Sequence, residues 1–269
     1  MDLSIVILNY KTSGLVKQAL RRLSTMEVSY SYEIVVADNA SSDGCVDMVK
    51  ENFPSVKTIQ NKKNIGFGAG NNKAIQNTKG EYILILNPDV AVSPNEITKL
   101  YVFLQKRKDV SLVGPRLLNP DGSIQLSCFR FPSVFMPLYS RTFLKRFKKF
   151  KKIYDHYRMV DFNHAETIPV HWLVGGCMMI RKSDFLKVGM FDNRYFMYYE
   201  DIDLCRTLWK SGKKVYYHSD AEMVHYHQRL SAEDSFVKGF FNKTLYYHLS
   251  SWLKYTKKYL RIPTPEITK

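Results

Sequence analysis

A single carboxylate follows a strongly apolar run of the chain, at a place where it could bind a divalent cation. Residues 82–86 are followed directly by Asn87-Pro88-Asp89. Proline disfavours helical geometry at Asn87 and removes one amide donor, so the segment must turn and present Asp89 on a loop. A carboxylate at the carboxyl end of a buried strand suits a cation site. The same tripeptide is also typical of ordinary turns, so this segment alone leaves both interpretations open.

Polar side chains follow two further apolar runs in the same way. Asn9 and Tyr10 end the first run, and Asp38 ends the second. In a parallel sheet such ends converge on one edge, where an acid after the second strand can hydrogen-bond a base or ribose. Residues 64–68 add backbone amides near a helix start. Asp38 could instead order its loop. Ser42 or Asp43 is expected to cap the helix that follows, and for Asp43 this capping role is favoured.

A cluster of acids provides a candidate proton acceptor. Glu200, Asp201 and Asp203 follow four aromatic or methionine residues and open a segment with apolar residues at helical spacing. At a helix amino terminus the dipole and free amides favour the ionised form, so a carboxylate there can accept a proton at neutral pH. Asp201 or Asp203 could instead cap the helix, and one acid can cap while another reacts.

A histidine near the carboxyl end of the chain could add to the cation site. His225 ends a short apolar run, and a neutral imidazole there could complete a site begun by Asp89. His227 competes for the same role. A lone histidine in such a run is more often structural, so this interpretation depends on the other motifs.

Repeated alternation of apolar strands with amphipathic helices predicts the fold class. It indicates an α/β protein with a doubly wound, mainly parallel sheet. The alternation stops after a turn at residues 119–122, and residues 129–167 are basic and aromatic without clear periodicity. A final segment near residues 232–260 reads as an amphipathic helix. The glycines of residues 66–70 lack the spacing and position of a dinucleotide fingerprint, which excludes a nicotinamide cofactor.

The composition of the chain limits the classes of partner that it can bind. The chain has 269 residues and a formal net charge of +15, which calls for a polyanionic neighbour. Lysines interleaved with apolar residues over 145–154 favour an anionic membrane surface, with a solvated charged face as the alternative. Nucleic acid is disfavoured because the converging acids would repel its phosphates. Four scattered cysteines predict reduced thiols, and the absence of a leader or spanning segment predicts a cytoplasmic protein.

Six motifs in order carry a family resemblance. They are Ser4-Ile5-Val6-Ile7-Leu8-Asn9-Tyr10, Asp38-Asn39-Ala40-Ser41-Ser42-Asp43-Gly44, Asn64-Ile65-Gly66-Phe67, Asn87-Pro88-Asp89, Gly175-Gly176 and Tyr199-Glu200-Asp201-Ile202-Asp203. Over about residues 3–230 the chain resembles glycosyltransferase family 2, in particular its bacterial rhamnosyltransferase-like branch. The resemblance implies a GT-A fold, a nucleotide-diphosphate sugar donor, a divalent cation (Mg²⁺ or Mn²⁺) and inversion at the anomeric carbon.

The resemblance also implies roles for individual residues. Asp38 would contact the pyrimidine base, and Asp201 would be the general base that deprotonates the acceptor hydroxyl. The full nucleotide-sugar set would be Asn9, Tyr10, Asp38, Asn64, Gly66, Asn87 and Asp89. The acceptor would be bound by Trp172, Gly175, Gly176 and Glu200, and the cation by Asp89 and His225. The usual Asp-X-Asp motif is here Asn87-Pro88-Asp89, which leaves one carboxylate to hold the cation.

Together these features predict an organisation and a function. Residues 1–230 would form the transferase domain, with residues 1–115 binding the donor, 116–230 binding the acceptor, and 231–269 forming a helical, membrane-associating segment. The function would be transfer of L-rhamnose from dTDP-L-rhamnose to a cell-surface polysaccharide or lipid-linked oligosaccharide at the inner face of the membrane. UDP-galactose and UDP-N-acetylglucosamine stay open as donors, and a non-catalytic or nucleic-acid-binding protein is the alternative class.

Overall fold

Strands and helices alternate along the first half of the chain, as the sequence pattern predicts. The computed structural model describes residues 1–141, 146–226 and 243–267. The strands are β1 Leu3–Asn9, β2 Tyr32–Asp38, β3 Lys57–Gln60, β4 Tyr82–Leu86, β5 Val90–Ala91, β6 Val110–Leu118, β7 Ile124–Gln125, β8 Cys128–Phe129, β9 Ile168–Pro169, β10 Trp172–Leu173, β11 Cys177–Arg181 and β12 Lys214–His225. The helices are α1 Ser13–Leu23, α2 Cys45–Asn52, α3 Phe67–Ile75, α4 Pro94–Lys106, α5 Met136–Arg141, α6 Lys148–Tyr157, α7 Lys182–Lys187, α8 Glu200–Lys210 and α9 Lys243–Tyr259.

One large sheet carries the site. Within the described ranges its main path runs β3-β2-β1-β4-β11-β6-β12-β5. Strands β3, β2, β1 and β4 are mutually parallel, and β6 is parallel to β12. Between these two groups β11 runs antiparallel to both β4 and β6. The predicted mainly parallel α/β sheet is confirmed, and β11 is the strand that interrupts its parallel order.

Two hydrophobic cores cover the two faces of this sheet. Alternate residues of a strand point to opposite faces, so neighbours on β1 belong to different cores. Ile5 and Ile7 share one core with α1 and α4, whereas Val6 shares the other with α3, α7 and α8. All three side chains are fully buried. Burial of each contributes about 1.5–3 kcal/mol, which is why these strands are continuous apolar runs.

The basic and aromatic insertion contains helices that the sequence pattern did not predict. Its described part contains α5 and α6, joined by stacking of Tyr139 on Phe150 at 5.3 Å. No residue of α6 is buried. At the start of the insertion Phe129 stacks on Trp172 at 4.6 Å, so its aromatic residues pack inward at that point while the lysines of α6 face solvent.

The carboxyl-terminal helix packs on the domain. Of the predicted helix over residues 232–260, the structure describes α9; residues 227–242 and 268–269 lie outside the described part. Ser251, Tyr255 and Tyr259 recur every four residues on the buried side of α9. Lys258 binds Asp192 at 2.9 Å and Asp203 of α8 at 2.8 Å. Among the described helices, none is both long enough and apolar enough to span a bilayer.

The ion pair between Lys258 and Asp203 should contribute to stability. Asp203 is only 3% exposed, so replacing Lys258 with methionine leaves a buried carboxylate without its cation. We expect Lys258→Met to lower the free energy of unfolding by about 2–3 kcal/mol, somewhat less than for a fully buried pair because Lys258 is partly exposed. Denaturant unfolding measures this change. The control Lys257→Met alters an exposed neighbour and should stay within about 0.5 kcal/mol; equal effects would contradict the account.

Candidate active site

A cavity of about 230 Å³ opens at the carboxyl ends of β1, β2 and β4. Five of the residues predicted to bind a nucleotide sugar line it: Tyr10, Asn64, Gly66, Asn87 and Asp89. The lining also includes residues that sequence reasoning missed, namely Asn39, Phe67, Phe196 and Met197. The structure therefore places most of the predicted donor residues around one cavity at the sheet edge.

Asn9 and Asp38, which were also predicted there, are buried beneath this cavity. Asn9 is 0% and Asp38 is 2% exposed. The Asn9 side-chain amide donates to Asp38 Oδ1 at 2.7 Å and to Ser41 Oγ at 2.7 Å. These bonds order the loop after β2 and leave Asn39 at the cavity wall. The contact of Asp38 with a base stays a prediction; its neighbour Asn39 lines the cavity but is equally buried, at 2% exposed.

The same loop shows how helix α2 begins. The predicted caps were Ser42 or Asp43, but the N-cap residue is Gly44 in a left-handed conformation, φ +70°. The Asp43 carboxylate accepts from the backbone amide of Cys45 at 3.2 Å and from that of Ser13 at 3.0 Å. Although burial opposes ionisation, hydrogen bonds from Ser41, Asn9 and these amides hold the pKa of Asp43 below its ordinary value. Asp43 thus ties α1 and α2 together.

Asp89 and His225 lie together as two candidate ligands for a cation. Asp89 Oδ1 is 3.4 Å from His225 Nε2 because β5 and β12 pair Val90 with His225. His225 Nδ1 is 2.7 Å from Gln125 Oε1, and since that oxygen only accepts, Nδ1 carries the hydrogen. In the neutral imidazole this leaves the Nε2 lone pair facing the carboxylate.

This pair fits a cation that is shared with a ligand. Among the described residues, the buried Asp89 Oδ1 atom accepts no hydrogen bond, and a cation beside it would also lie next to His225 Nε2. Among the described residues, no cluster of three or more histidine, cysteine or acidic side chains is arranged to hold a metal. Mg²⁺ and Mn²⁺ commonly take one or two protein ligands and complete their shell with phosphates and water. His227, the competing histidine, lies outside the described residues.

Asp201 is held at the start of α8 by backbone amides. Its Oδ2 accepts from the Gly175 amide at 3.1 Å, and its Oδ1 accepts from the Ile202 amide at 2.8 Å. Two consecutive tyrosines, Tyr198 and Tyr199, adopt left-handed backbone conformations (φ +69° and +68°) directly before the acids. Non-glycine residues rarely adopt this conformation, so packing must hold the turn that presents Asp201.

Burial separates the protonation of the two neighbouring acids. It raises the pKa of Asp201 to about 6, although the amide hydrogen bonds oppose the rise. Burial and the nearby Asp201 charge raise the pKa of Glu200 to about 8. The amides at the helix start favour the ionised form of Asp201, as expected, but burial outweighs them and the net change of its pKa is upward. At neutral pH Asp201 is nonetheless ionised and can accept a proton, while Glu200 keeps its proton and can donate a hydrogen bond.

The pair Gly175-Gly176 connects the proton acceptor, Asp201, with the candidate cation ligands Asp89 and His225. Gly175 donates to Asp201, and the Gly176 carbonyl accepts from the Asn87 amide at 2.8 Å. A Cβ built on Gly176 would lie 3.4 Å from the His225 ring. Trp172, also predicted for the acceptor, is 7% exposed and donates its indole N–H to the Arg130 carbonyl at 2.9 Å. Its role toward an acceptor stays a prediction.

Helix α9 supports the loop that closes the cavity. Phe196 stacks on Tyr247 at 4.4 Å, and the Ser251 hydroxyl donates to the Met197 carbonyl at 2.9 Å. Phe196 and Met197 line the cavity, so the carboxyl-terminal helix contributes to its shape. The run of aromatic residues before Glu200 was the signal in the sequence, but its partners on α9 are about 50 residues away in the chain.

Comparison with known proteins gives consistent similarities. Residues 4–189 match the family model described as glycosyl transferase family 2, and residues 156–229 match one described as the N-terminal domain of galactosyltransferase. The chain is 30% identical, over 86% of its length and 78% of the relative's, to N-acetylglucosaminyl-diphospho-decaprenol L-rhamnosyltransferase of Mycobacterium tuberculosis. It is 27% identical to rhamnosyltransferase WbbL of Escherichia coli, covering 93% of this chain and 91% of WbbL.

A solved structure shows the same fold at low sequence identity. The crystal structure of GalNAc-T7 with UDP, GalNAc and Mn²⁺ superposes with a TM-score of 0.67 at 15% identity. The match covers 96% of this chain and 48% of that one, so the chain spans about half of GalNAc-T7.

Gly66 offers a test of how the cavity wall is built. Its φ is +91°, and a Cβ there would lie 2.2 Å from the Phe196 carbonyl oxygen. We expect Gly66→Ala to lower the free energy of unfolding by about 3 kcal/mol or more, through backbone strain plus this clash. The matched control Gly44→Ala has a similar φ of +70° with no atom within 4 Å, and should cost only about 1 kcal/mol. Equal losses in denaturant unfolding would exclude the close approach of Phe196.

Proposed function

The chain belongs to glycosyltransferase family 2, and on that basis we propose that it transfers L-rhamnose from dTDP-L-rhamnose to a hydroxyl of a lipid-linked glycan. It is a glycosyltransferase of an inverting family that includes hexosyl- and rhamnosyltransferases, and the GT-A fold expected from its motifs is confirmed. The exact donor and acceptor are the proposal.

One observation carries the proposed chemistry: the Asp201 carboxyl group and the candidate cation ligands Asp89 and His225 are held on either side of Gly175-Gly176. Asp201 would accept the proton of the attacking hydroxyl, and neutral Glu200 would donate a hydrogen bond that seats the acceptor. Asp89 and His225 would hold Mg²⁺ or Mn²⁺, which when bound neutralises charge on the departing nucleoside diphosphate. Because this arrangement needs no protein nucleophile, a single displacement with inversion follows.

Two relatives support rhamnose as the transferred sugar. Both the mycobacterial protein and WbbL are rhamnosyltransferases and cover most of this chain. Purified protein should therefore release dTDP from dTDP-L-rhamnose in the presence of Mn²⁺ and a suitable acceptor. Faster turnover of UDP-galactose or UDP-N-acetylglucosamine under the same conditions would contradict the donor assignment.

The name of one relative and the surface charge support a lipid-linked acceptor at a membrane. The mycobacterial relative is named for a decaprenyl diphosphate that carries N-acetylglucosamine. In this chain α6 exposes Lys148, Lys149, Lys151 and Lys152, and α9 exposes Leu253 at 58%. Basic residues beside exposed apolar ones suit peripheral contact with the anionic inner face of the cell membrane.

Asp201 should determine both the size of kcat and its decrease at low pH. Asp201→Asn keeps the shape of the side chain but cannot take a proton, so kcat should fall by about 10²–10⁴-fold while donor affinity changes little. In the unsubstituted enzyme, protonation of Asp201 should make kcat fall as pH drops through about 6. Steady-state kinetics and nucleotide titration measure these effects. A kcat that is flat between pH 5 and pH 7, about one pH unit on either side of this pKa, would rule out Asp201 as the base.

Asp89 should control metal-dependent donor binding. Asp89→Asn removes the negative charge facing His225, so the affinity for dTDP in Mn²⁺ should fall by at least the roughly 10–100-fold typical of damaged metal sites. Calorimetric titration with and without Mn²⁺ measures the loss. Asp121→Asn, in an exposed turn, is the control and should leave affinity unchanged. If Mn²⁺ strengthens dTDP binding equally in both variants, Asp89 is not a metal ligand.

A further inference from the structure

A second cavity, of about 130 Å³, lies between α8, α9 and residues 132–134. Four of its eleven lining residues are aromatic: Tyr199, Trp252, Tyr255 and Tyr259. Tyr199 directly precedes Glu200 and Asp201, so one wall of this cavity adjoins the acids of the candidate active site. This cavity shares no lining residue with the donor cavity, which is the one at the carboxyl ends of β1, β2 and β4.

A buried cation lines this second cavity. Arg206 is 4% exposed, and its guanidinium lies 4.1 Å from the centroid of the Tyr259 ring. Its Nη1 donates to the Tyr255 hydroxyl at 2.9 Å and its Nη2 to the Ile262 carbonyl at 2.8 Å. Within the described ranges, no ion pair includes Arg206. A buried guanidinium balanced only by neutral oxygens and aromatic rings favours an anion nearby.

Two hydrogen-bonding atoms of the lining residues have no partner in the part of the chain that the structure describes. They are the Nε of Arg206 and the Oγ1 of Thr256, which are both buried without a hydrogen bond to a described residue. Buried polar groups in folded proteins almost always have partners, and two exceptions beside one cavity indicate a ligand that supplies acceptors. A phosphate oxygen accepts from both guanidinium and hydroxyl groups.

The surroundings of the cavity indicate the rest of the ligand. Val134, on its rim, is 37% exposed, and its carbonyl accepts from the Trp252 indole at 3.0 Å. Phe135 and Leu253, the chain neighbours of Val134 and Trp252, are each 58% exposed. Exposed apolar side chains, next to the exposed polar lining residues Ser133 and Thr264, therefore adjoin a cationic interior. An anionic group attached to an apolar chain matches both.

We propose that this cavity binds the phosphate of the lipid-linked acceptor and so positions the acceptor beside Asp201. The proposal rests on the proposed function, since it assigns part of that acceptor to a place on the protein. A phospholipid headgroup has the same chemistry, and the experiment must distinguish the two sources.

A direct binding measurement tests the proposal without requiring transfer. The enzyme, saturated with dTDP and Mn²⁺ so that the donor cavity is filled, is titrated calorimetrically with decyl diphosphate below its micelle concentration. Decyl glucoside, which has the same chain without phosphate, is the neutral control. Because transfer is not measured, a failure of the proposed reaction would show in the donor assay and not here.

The main variant places a charge on residue 134 at the rim and leaves the buried groups in position. Arg206→Gln is the obvious change, but Arg206 also holds the Ile262 carbonyl, so that variant could unfold. Val134→Glu should weaken decyl diphosphate binding by about tenfold relative to its matched control Val134→Gln, and added salt should reduce the difference. Thr256→Val should weaken binding by about threefold or more.

Each result counts for or against the site. Tight binding of decyl diphosphate, weak binding of decyl glucoside and a selective loss in Val134→Glu would support it. Equal binding by Val134→Glu and Val134→Gln, or equal affinity for decyl glucoside, would overturn it. If short-chain phosphatidylglycerol binds more tightly than decyl diphosphate with the same sensitivity to Val134→Glu, the cavity belongs to a membrane headgroup and the acceptor assignment is wrong.

Discussion

The hydrogen bond from the Gly175 amide to Asp201 is the interaction on which the geometry of this site depends. The next carbonyl, that of Gly176, accepts from the Asn87 amide after β4 and so joins the proton acceptor to the turn that carries Asp89. A Cβ on Gly175 would lie 3.3 Å from the Phe67 ring, a tight contact, and one on Gly176 would lie 3.4 Å from His225, an ordinary van der Waals contact. The backbone just before β11, which enters the sheet beside β4, therefore holds both functional groups.

Burial decides the protonation of the acids on α8. Burial raises the pKa of Asp201 to about 6, although the backbone amides at the helix start favour its ionised form. The outcome still suits a general base, since a carboxylate with a pKa just below neutrality is ionised and more basic than an exposed one. Glu200, more deeply buried and beside that charge, keeps its proton. Two adjacent carboxyl groups thereby take opposite roles.

The sequence predicts those parts of this protein that depend on neighbouring residues. Strand β4 and the turn at Asn87-Pro88-Asp89 follow from local apolar pattern and proline geometry, and the helix at Glu200 follows from spacing. Contacts between distant segments were not predictable in this way. The antiparallel entry of β11 between β4 and β6, and the support of Met197 by Ser251, depend on packing across the fold. Asn9 and Asp38 show a further limit of prediction. Their positions at the ends of strands can be predicted from the sequence, but which polar residue turns inward depends on hydrogen bonds within the loop after β2.

The stereochemistry of the transfer product tests the central claim most directly. If Asp201 activates an acceptor hydroxyl opposite a departing nucleoside diphosphate held at Asp89, the new bond forms in one displacement. Proton NMR of the anomeric signal of the product reports its configuration, which the glycosidic bond keeps fixed. The account predicts a product with the opposite anomeric configuration to the donor. A product that retains the donor's configuration would require a covalent intermediate or a same-face attack, and would contradict the assignment of Asp201 as the base.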